Sequence, residues 1–518
     1  MPIALFDTTL RDGTQSEGLS LSVEDKIKIA RLLDGFGVRY IEGGYPGANP
    51  KDEEFFRRAP ELHLRQARLT AFGSTRRTGT TAATDANLQA LVKANTPAVA
   101  IFGKTWLLHV TDVLKTTAEE NLAIIAESVA FLKQNSREVI FDAEHFFDGF
   151  RADRAYALAA VQAAARAGAD WIAFCDTNGG NLPSTVAEIV REAKKVLTAS
   201  LGIHAHNDSD LAVANSLAAV EAGCTMVQGT LNGWGERCGN ANLMSVIPAL
   251  QLKMGLDCIP AESLERLTEV SRTANEIANL RPRAHAPYVG ASAFAHKAGA
   301  HVAAVAKSPI TFEHIPPEKV GNSRRIVVSE LSGRGNIRVR AAELGVELRG
   351  NEADLVARIK DLENQGYQFE AAEGSLELML RRTQPGYSEP FEILDVVVLS
   401  ERRRGSDMFI EATVKIKVGD EVSHVVAEGS GPVEAMDRAF HKALDRHFPI
   451  LRQIHLCDYK VRILDPESAT AAKTRVLVES NHGTDRWSTI GVSQNIIEAS
   501  CEALKDALEL PLVRAAKA

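Results

Sequence analysis

Eight short runs rich in β-branched and aromatic residues, an amphipathic helical pattern after most of them, and helices that close on glycine just before the next run predict an α/β protein. Its residues 1–255 are expected to form a (β/α)8 TIM barrel. The runs are IALFD (3–7), VRYIEGG (38–44), RLTAFGS (68–74), AVAIFGK (98–104), EVIFDAE (138–144), WIAFCDT (171–177), LGIHAHN (201–207) and MVQGTLN (226–232). Between them, SVEDKIKIARLLDGFG, TAEENLAIIAESVAFLKQN, ADRAYALAAVQAAARAGAD and SDLAVANSLAAVEAGC repeat apolar residues every three or four positions. The turns GFGV, RAGAD and EAGC place glycine as a helix C-cap. The competing reading is a doubly wound open sheet, but no G-x-G-x-x-G follows any run.

Residues 256–384 read as a helical connector, with SLERLTEVSRTANEIANL and EADLVARIKDLENQ as its clearest amphipathic stretches. TQPGYSEP (383–390), with two prolines and a glycine, reads as a hinge. From 385 to 518, runs such as FEILDVVVLSERR, MFIEATVKIKVGDEVSHVVAEGSG and TRVLVESNHGTDRWSTIGVS alternate with two or three helices, which predicts a separate α+β domain.

The chain has 518 residues, enough for more than one core, and a formal net charge of -8 with no long basic block. That excludes nucleic acid and anionic membrane as expected partners and favours small-molecule chemistry. Cys175, Cys224, Cys238, Cys258, Cys457 and Cys501 are widely spaced, without a C-x-x-C pair, as in a reducing cytosol. The start MPIALFDTTLRDG lacks a signal-peptide core and no run is long enough to span a bilayer, so a cytoplasmic protein is expected.

The chemistry concentrates at the ends of runs seven, eight and one. His204 and His206 stand two apart on a strand, so both point to the same side and can chelate one ion. In a closed barrel run eight pairs with run one. Asp12 of TTLRDGTQ and Asn240 of GTLNGWGERCGNANL then converge on the two imidazoles. Two nitrogens, a carboxylate and an amide oxygen suit a six-coordinate divalent cation with two open positions, which a 2-oxo acid fills through its carboxylate and keto oxygens. The cation would polarise the keto carbonyl, and Arg11 would donate to the developing alkoxide. For one histidine alone, a strand cap is the simpler reading, and Arg11 has an alternative as an ion-pair partner of Asp12 or Glu42.

DTTLRDGTQSEG, EGGYPGANPKD, HAHND, GWGERCGNANL and HKAGAHV together resemble the family that condenses acetyl-CoA with 2-oxo acids, the isopropylmalate, homocitrate and citramalate synthases, with acyl-CoA lyases as distant relatives. IFGKTWLLHVTDVL (101–114), GYQFEAAEGSLELMLRR (366–382) and GVSQNIIEAS (491–500) look most like the citramalate branch. The resemblance implies Asp12, His204, His206 and Asn240 as ligands of a divalent metal (Mn, Mg, Zn or Co) and Arg11 as the catalytic arginine. It places Glu144 near the acetyl-CoA methyl group, gives proton transfer to His301, and sets Gln15, Thr177 and Glu42 against substrate or metal. It further implies pyruvate and acetyl-CoA as substrates and a C-terminal domain regulated by isoleucine, with a dimerisation domain that binds no ligand as the alternative; a homodimer is expected as the commonest symmetric assembly. The loops EGSGPVEA (428–435) and SNHGTDRWS (480–488) are the candidates for an effector or dimer site.

The bland alternatives are a helix cap for Thr177, a barrel-rim ion pair for Glu144, and for His301 an ordinary helix position outside the barrel. TFEHI carries Phe312 where the resemblance leads one to expect tyrosine, and Cys238 reads as a small packing residue. Phe102 and Tyr45 are candidate walls that limit the length of the 2-oxo acid, although a methylene is worth only about 1–3 kcal/mol in such a pocket. A lyase on the same barrel, a metal-dependent hydrolase and a non-enzymatic effector-binding protein remain as other function classes. Hydrolases with an H-x-H pair usually carry it on the first strand, not the seventh.

Overall fold

The computed structural model describes residues 2–135, 137–402 and 407–516; Arg403, the last residue of the FEILDVVVLSERR run, lies outside them. The chain divides into two compact units, Met1–Phe294 with Ile315–Ser323, and Ala295–His314 with Arg324–Ala518. In the first unit eight parallel strands close in sequential order: β1 (Ala4–Asp7), β2 (Tyr40–Gly44), β3 (Arg68–Ser74), β4 (Ala98–Lys104), β5 (Glu138–Glu144), β6 (Trp171–Asp176), β7 (Ser200–Ala205) and β8 (Met226–Gly229). β8 closes the barrel on β1, with Ala4 opposite Met226 and Asp7 opposite Gly229. The strands are covered on both faces, which is why they read as nearly continuous apolar runs. Phe6, Tyr40, Phe72, Ile140, Trp171 and Met226 fill the interior. At the lower end Glu138 accepts from Tyr40 Oη at 2.8 Å and from Trp171 Nε1 at 3.3 Å, and pairs with Arg68.

The helices start where short polar side chains can accept from free N–H groups. Ser22 forms a capping box with Asp25 at the start of α1 (Val23–Phe36), and Asn49 caps α2 (Pro50–Arg57) ahead of its N1 proline. Asp85 caps α3 (Ala86–Lys93) and Thr117 caps α4 (Ala118–Gln134). A short helix that the periodicity does not reveal, α5 (Phe146–Ala152), follows β5, and Asp153 then caps α6 (Arg154–Arg166). The series continues with α7 (Pro183–Lys194), α8 (Ala212–Ala222), α9 (Leu243–Pro248) and α10 (Leu267–Ile277). Gly37 ends α1 at φ 100°, as the GFGV turn requires.

Two expected strands stop two or three residues before the ends of their runs. β7 stops at Ala205, so His206 sits one residue beyond it, and β8 stops at Gly229, where the chain turns through Asn232 at φ 57°.

Asp7 ends β1 fully buried, accepting from the backbone N–H and hydroxyl of Thr9, both at 2.9 Å. Burial outweighs these bonds and raises its pKa to about 7. The folded state therefore holds a proton that the unfolded chain releases near pH 4, and stability falls as pH rises from there through about 7. The slope from one such group is about 1.4 kcal/mol per pH unit. Asp7→Asn is expected to lose less stability than wild type between pH 5 and pH 8 in denaturant unfolding of the barrel transition. Parallel pH profiles for the two proteins would remove Asp7 as the source.

The second unit contains a two-residue parallel strand pair, β9 (Ala295–His296) with β10 (Arg325–Ile326), and the helices α11 (Gly299–Lys307), α12 (Arg334–Glu343), α13 (Glu352–Gln365) and α14 (Glu373–Arg381). The expected connector thus contributes to both units: α10 belongs to the first, α11 to α14 to the second. TQPGYSEP turns at Gly386, φ 78°, and is anchored by Tyr387 Oη donating to the buried Glu509 at 2.6 Å. Two copies of a β-β-β-α pattern follow. Antiparallel β11 (Glu392–Arg402), β12 (Met408–Val418) and β13 (Glu421–Glu428) precede α15 (Pro432–Leu444), and β14 (His455–Ile463), β15 (Thr474–His482) and β16 (Asp485–Ser493) precede α16 (Ile496–Ala515). Both helices pack into one core with Ala412, Val414, Val476 and Val478. Among the described residues no helix is long and apolar enough to cross a membrane.

Candidate active site and metal centre

The C-terminal ends of β1 and β7 bring Asp12, His204 and His206 together, all buried, with one ligand atom of each within 4.8 Å of the others. His204 Nε2 lies 3.4 Å from Asp12 Oδ2 and 3.2 Å from His206 Nε2, and His206 Nε2 lies 4.0 Å from the same oxygen. Asn240 arrives by a loop that folds back along β7. Ala241 donates its N–H to Ala205 O, Asn207 donates to Gly239 O, and His206 and Asn240 form an isolated bridge. Glycine is needed there: at Gly239, φ 88°, a Cβ would stand 2.0 Å from Gly233 O.

The donor set fits a cation. Among the described residues Asp12 Oδ1 and Asn240 Oδ1 are buried without a hydrogen-bond partner, which is costly unless something positive meets them. Gln228 fixes the tautomer of His204. Its amide Nε2 donates to Asp142 Oδ1 at 2.8 Å, so its Oε1 accepts from His204 Nδ1 at 2.9 Å, and the lone pair of His204 is left on Nε2. Burial opposes charge on His204, but the hydrogen bond and charge of Asp12 outweigh it and raise its pKa. His206 is pushed down to about 3 by burial and by repulsion from His204. Burial acts against ionised Asp12 as well, yet Arg11 and His204 hold it well below the usual carboxylate range. The site draws positive charge toward Asp12, whether proton or metal.

Gln228→Leu is expected to weaken divalent-metal affinity about 10–100-fold, measured by competition with a chromophoric chelator. An unchanged affinity would show that His204 needs no such orientation.

Arg11 is held on three sides. Its Nε donates to Glu42 at 2.6 Å, its Nη1 to Asp12 at 3.1 Å, and its guanidinium carbon lies 3.7 Å over the ring of Phe72. Phe72 in turn stacks on Phe102 with centroids 5.5 Å apart and meets Tyr45 edge-on at 5.9 Å, so the two expected wall residues belong to one aromatic cluster. Phe72 and Gln228 are site residues the sequence reading misses. A signal existed for both, since each lies on a barrel strand near its C-terminal end.

The remaining expected residues are placed as follows. Glu144 ends β5 in an ion pair with Lys104, as the barrel-rim reading has it, and Thr177 accepts the N–H of His145 at 2.9 Å without capping a helix. His145 stands at φ 57° beside Asp148, 3.3 Å away. Gln15 is exposed in a turn directly after Asp12. His301 belongs to α11 of the second unit, is exposed, and stacks on Phe312 at 4.0 Å. Next to the histidine pair, Asn207 accepts from the first N–H of α8 at 3.1 Å and Asp208 pairs with Arg237 at 2.7 Å.

Residues 2–275 match the family model described as HMGL-like. The chain belongs to the HMGL-like family. Residues 288–367 match the homocitrate synthase post-HMGL domain-like model, and residues 370–512 the LeuA allosteric (dimerisation) domain. Over the full length the chain is similar to the (R)-citramalate synthase of Aquifex aeolicus, 51% identical with 99% of this chain and 98% of that one covered. The (R)-citramalate synthase of Geobacter sulfurreducens is 50% identical over 98% of this chain and 97% of its own. A 2-isopropylmalate synthase of Methanocaldococcus jannaschii is 30% identical, with 99% and 96% covered. The family resemblance read from the motifs is borne out, and the family's citramalate branch is the more similar one.

Proposed function

We propose that the protein is an (R)-citramalate synthase that joins acetyl-CoA to pyruvate and hydrolyses the resulting thioester, a step of isoleucine biosynthesis. The observation that carries this reading is the full-length similarity to (R)-citramalate synthases; the buried Asp12, His204 and His206 group supports it. Asp12, His204, His206 and Asn240 would hold a divalent cation, which when bound polarises a keto carbonyl as a Lewis acid.

This chain's own residues do the rest. Nε and Nη1 of Arg11 are committed to Glu42 and Asp12, which leaves the Nη2 hydrogens to meet the pyruvate C2 oxygen as negative charge grows on it. Loss of a methyl proton makes acetyl-CoA the nucleophile, and its carbon bonds to C2 of pyruvate. The C2 oxygen takes up a proton to become a hydroxyl. Water then cleaves the thioester to release CoA thiol and citramalate. The resemblance assigns proton removal to His301 with Glu144 assisting, and Glu144 is the one that the barrel itself supplies. Tyr45, Phe72 and Phe102 narrow the space beside Arg11, which favours the short methyl of pyruvate over a branched chain. Thr177 and Gln15 complete the substrate-facing set.

The LeuA-type domain supports a homodimer and an amino-acid effector, isoleucine on this reading. The test is CoA-thiol release from acetyl-CoA with pyruvate, 2-oxobutyrate, 2-oxoisovalerate or 2-oxoglutarate and a divalent metal. Preference for pyruvate is expected. Preference for 2-oxoisovalerate would make the protein an isopropylmalate synthase, and no release with any acid would end the synthase reading. Adding isoleucine or leucine to the best reaction tests the effector.

A further inference from the structure

The loops that leave β4 and β5 meet at one corner of the barrel mouth. Thr105 donates its hydroxyl to Glu144 O at 2.7 Å, and α5 packs so closely on the β4 loop that a Cβ at Gly149 would lie 2.3 Å from Thr105 O. From there the chain runs through Trp106 into one π-helical turn, His109–Val113, which Leu114 closes by donating its N–H to His109 O at 2.9 Å. Such turns are rare and concentrate at functional sites. On the β5 side His145, at φ 57°, is held in a conformation that costs free energy, its N–H donated to Thr177 Oγ1.

The corner gathers imidazole and carboxylate groups. His109 stacks on Trp106 with ring centroids 5.4 Å apart and meets the ring of His145 at 4.3 Å. Glu144 is committed to Lys104. Asp148 accepts from Arg151 at 2.9 Å and from Asn178 at 3.0 Å, and lies 3.3 Å from His145 Nδ1. His109 differs: its Nδ1 is buried and has no hydrogen-bond partner among the described residues. Burial, together with repulsion from His145 and Lys104, pushes its pKa below the ordinary histidine value, so the ring is neutral at pH 7. A neutral imidazole with an unengaged nitrogen is the form that accepts a proton.

This corner borders the reacting carbons. Residues two apart on a strand face the same way, so Glu144 stands above Asp142, whose carboxylate accepts from Gln228 beside His204. Lys104 Nζ lies 5.3 Å from the centre of the Phe102 ring, which stacks on the Phe72 ring under Arg11. We infer that His109 is the base that activates water for hydrolysis of the thioester, a step for which the metal ligands and Arg11 supply no base. The inference rests on the synthase reading. In the condensed adduct the thioester carbon is two bonds from the former keto carbon, which holds it to this end of the site. The water oxygen bonds to the thioester carbon as its proton passes to His109. The C–S bond then breaks, and the imidazolium returns the proton to the CoA sulfur. Free CoA thiol and the carboxylic acid of citramalate are the products, and His109 ends neutral.

The experiment follows one turnover of His109→Phe, which keeps a ring against Trp106 and has no basic nitrogen, beside wild type. CoA release is expected to slow about 10²–10³-fold, while pyruvate consumption in the first turnover stays within about threefold of wild type. Citramalyl-CoA should then accumulate in acid-quenched samples, where mass spectrometry finds none from wild type. Metal affinity should match wild type, and His109→Gln gives the same reading if the phenylalanine variant does not fold. Unchanged CoA release would overturn the assignment. So would parallel slowing of pyruvate consumption and CoA release without the thioester adduct, the result of a residue that only supports its loop. Wild type that neither consumes a 2-oxo acid nor releases CoA would instead refute the synthase reading.

Discussion

Asp12→Asn is expected to abolish stoichiometric divalent-metal binding and to reduce CoA release on the order of 10²–10³-fold, with the fold retained. The substitution keeps the side chain's size and removes its charge. Asp12 compensates Arg11 Nη1 at 3.1 Å and His204 Nε2 at 3.4 Å, and lies 4.0 Å from His206 Nε2. Two unit charges about 4 Å apart interact by roughly 4 kcal/mol at an effective dielectric near 20, which is the scale of the expected loss. Arg11 keeps Glu42 as its partner, so no buried charge is stranded. Metal stoichiometry by elemental analysis after dialysis, together with CoA release at high metal, decides the matter. A variant that binds metal as wild type does and loses less than about tenfold in rate would remove Asp12 from the ligand set.

The barrel was legible because its signals are local. Period, run length and glycine C-caps at Gly37 and Gly223 each follow from neighbouring residues. The metal set was legible through one global rule, that the last strand of a closed barrel pairs with the first; the Asp7–Gly229 register realises it. What stayed hidden depends on side chains meeting across the barrel. Gln228 acts on His204 because the two face one another in register on adjacent strands, and Asp142 reaches Gln228 from across the interior. Phe72 matters because Arg11 lies on its ring, a contact between residues 61 positions apart in the sequence. The α5 turn was invisible for another reason: His145 enters it in a left-handed conformation, which histidine adopts more often than most residues but still too rarely for the residue type to announce it.

In the second half the strands were readable and their repetition was not. β11 to β13 and β14 to β16 share an order of elements, but their sequences alternate apolar residues on different registers, and the alternation alone carries no count of sheets. The hinge reading of TQPGYSEP failed to anticipate its anchor because Tyr387 meets Glu509 some 120 residues later. Glu509 is fully buried and also holds Arg382 at 2.6 Å, a network that composition cannot disclose.

Arg11→Ala is expected to cost about 3–5 kcal/mol of stability in addition to nearly all activity, because it strands two buried carboxylates. Glu42 is fully buried, its Oε2 rests on Arg11 Nε at 2.6 Å, and its Oε1 has no hydrogen-bond partner among the described residues. Without the guanidinium that charge has no compensation. The double variant Arg11→Ala/Glu42→Gln should recover much of the lost stability, since a neutral amide is far less costly to bury than an unpaired carboxylate. It should recover no activity, since the hydrogens that meet the pyruvate oxygen are still missing. Denaturant unfolding of the barrel transition and CoA release, measured on the two single variants and the double, separate these effects. Activity returning with stability would mean that Arg11 only neutralises Glu42. Stability staying low in the double variant would mean that the stack on Phe72 and the Asp12 pair, not Glu42, make Arg11 necessary to the fold.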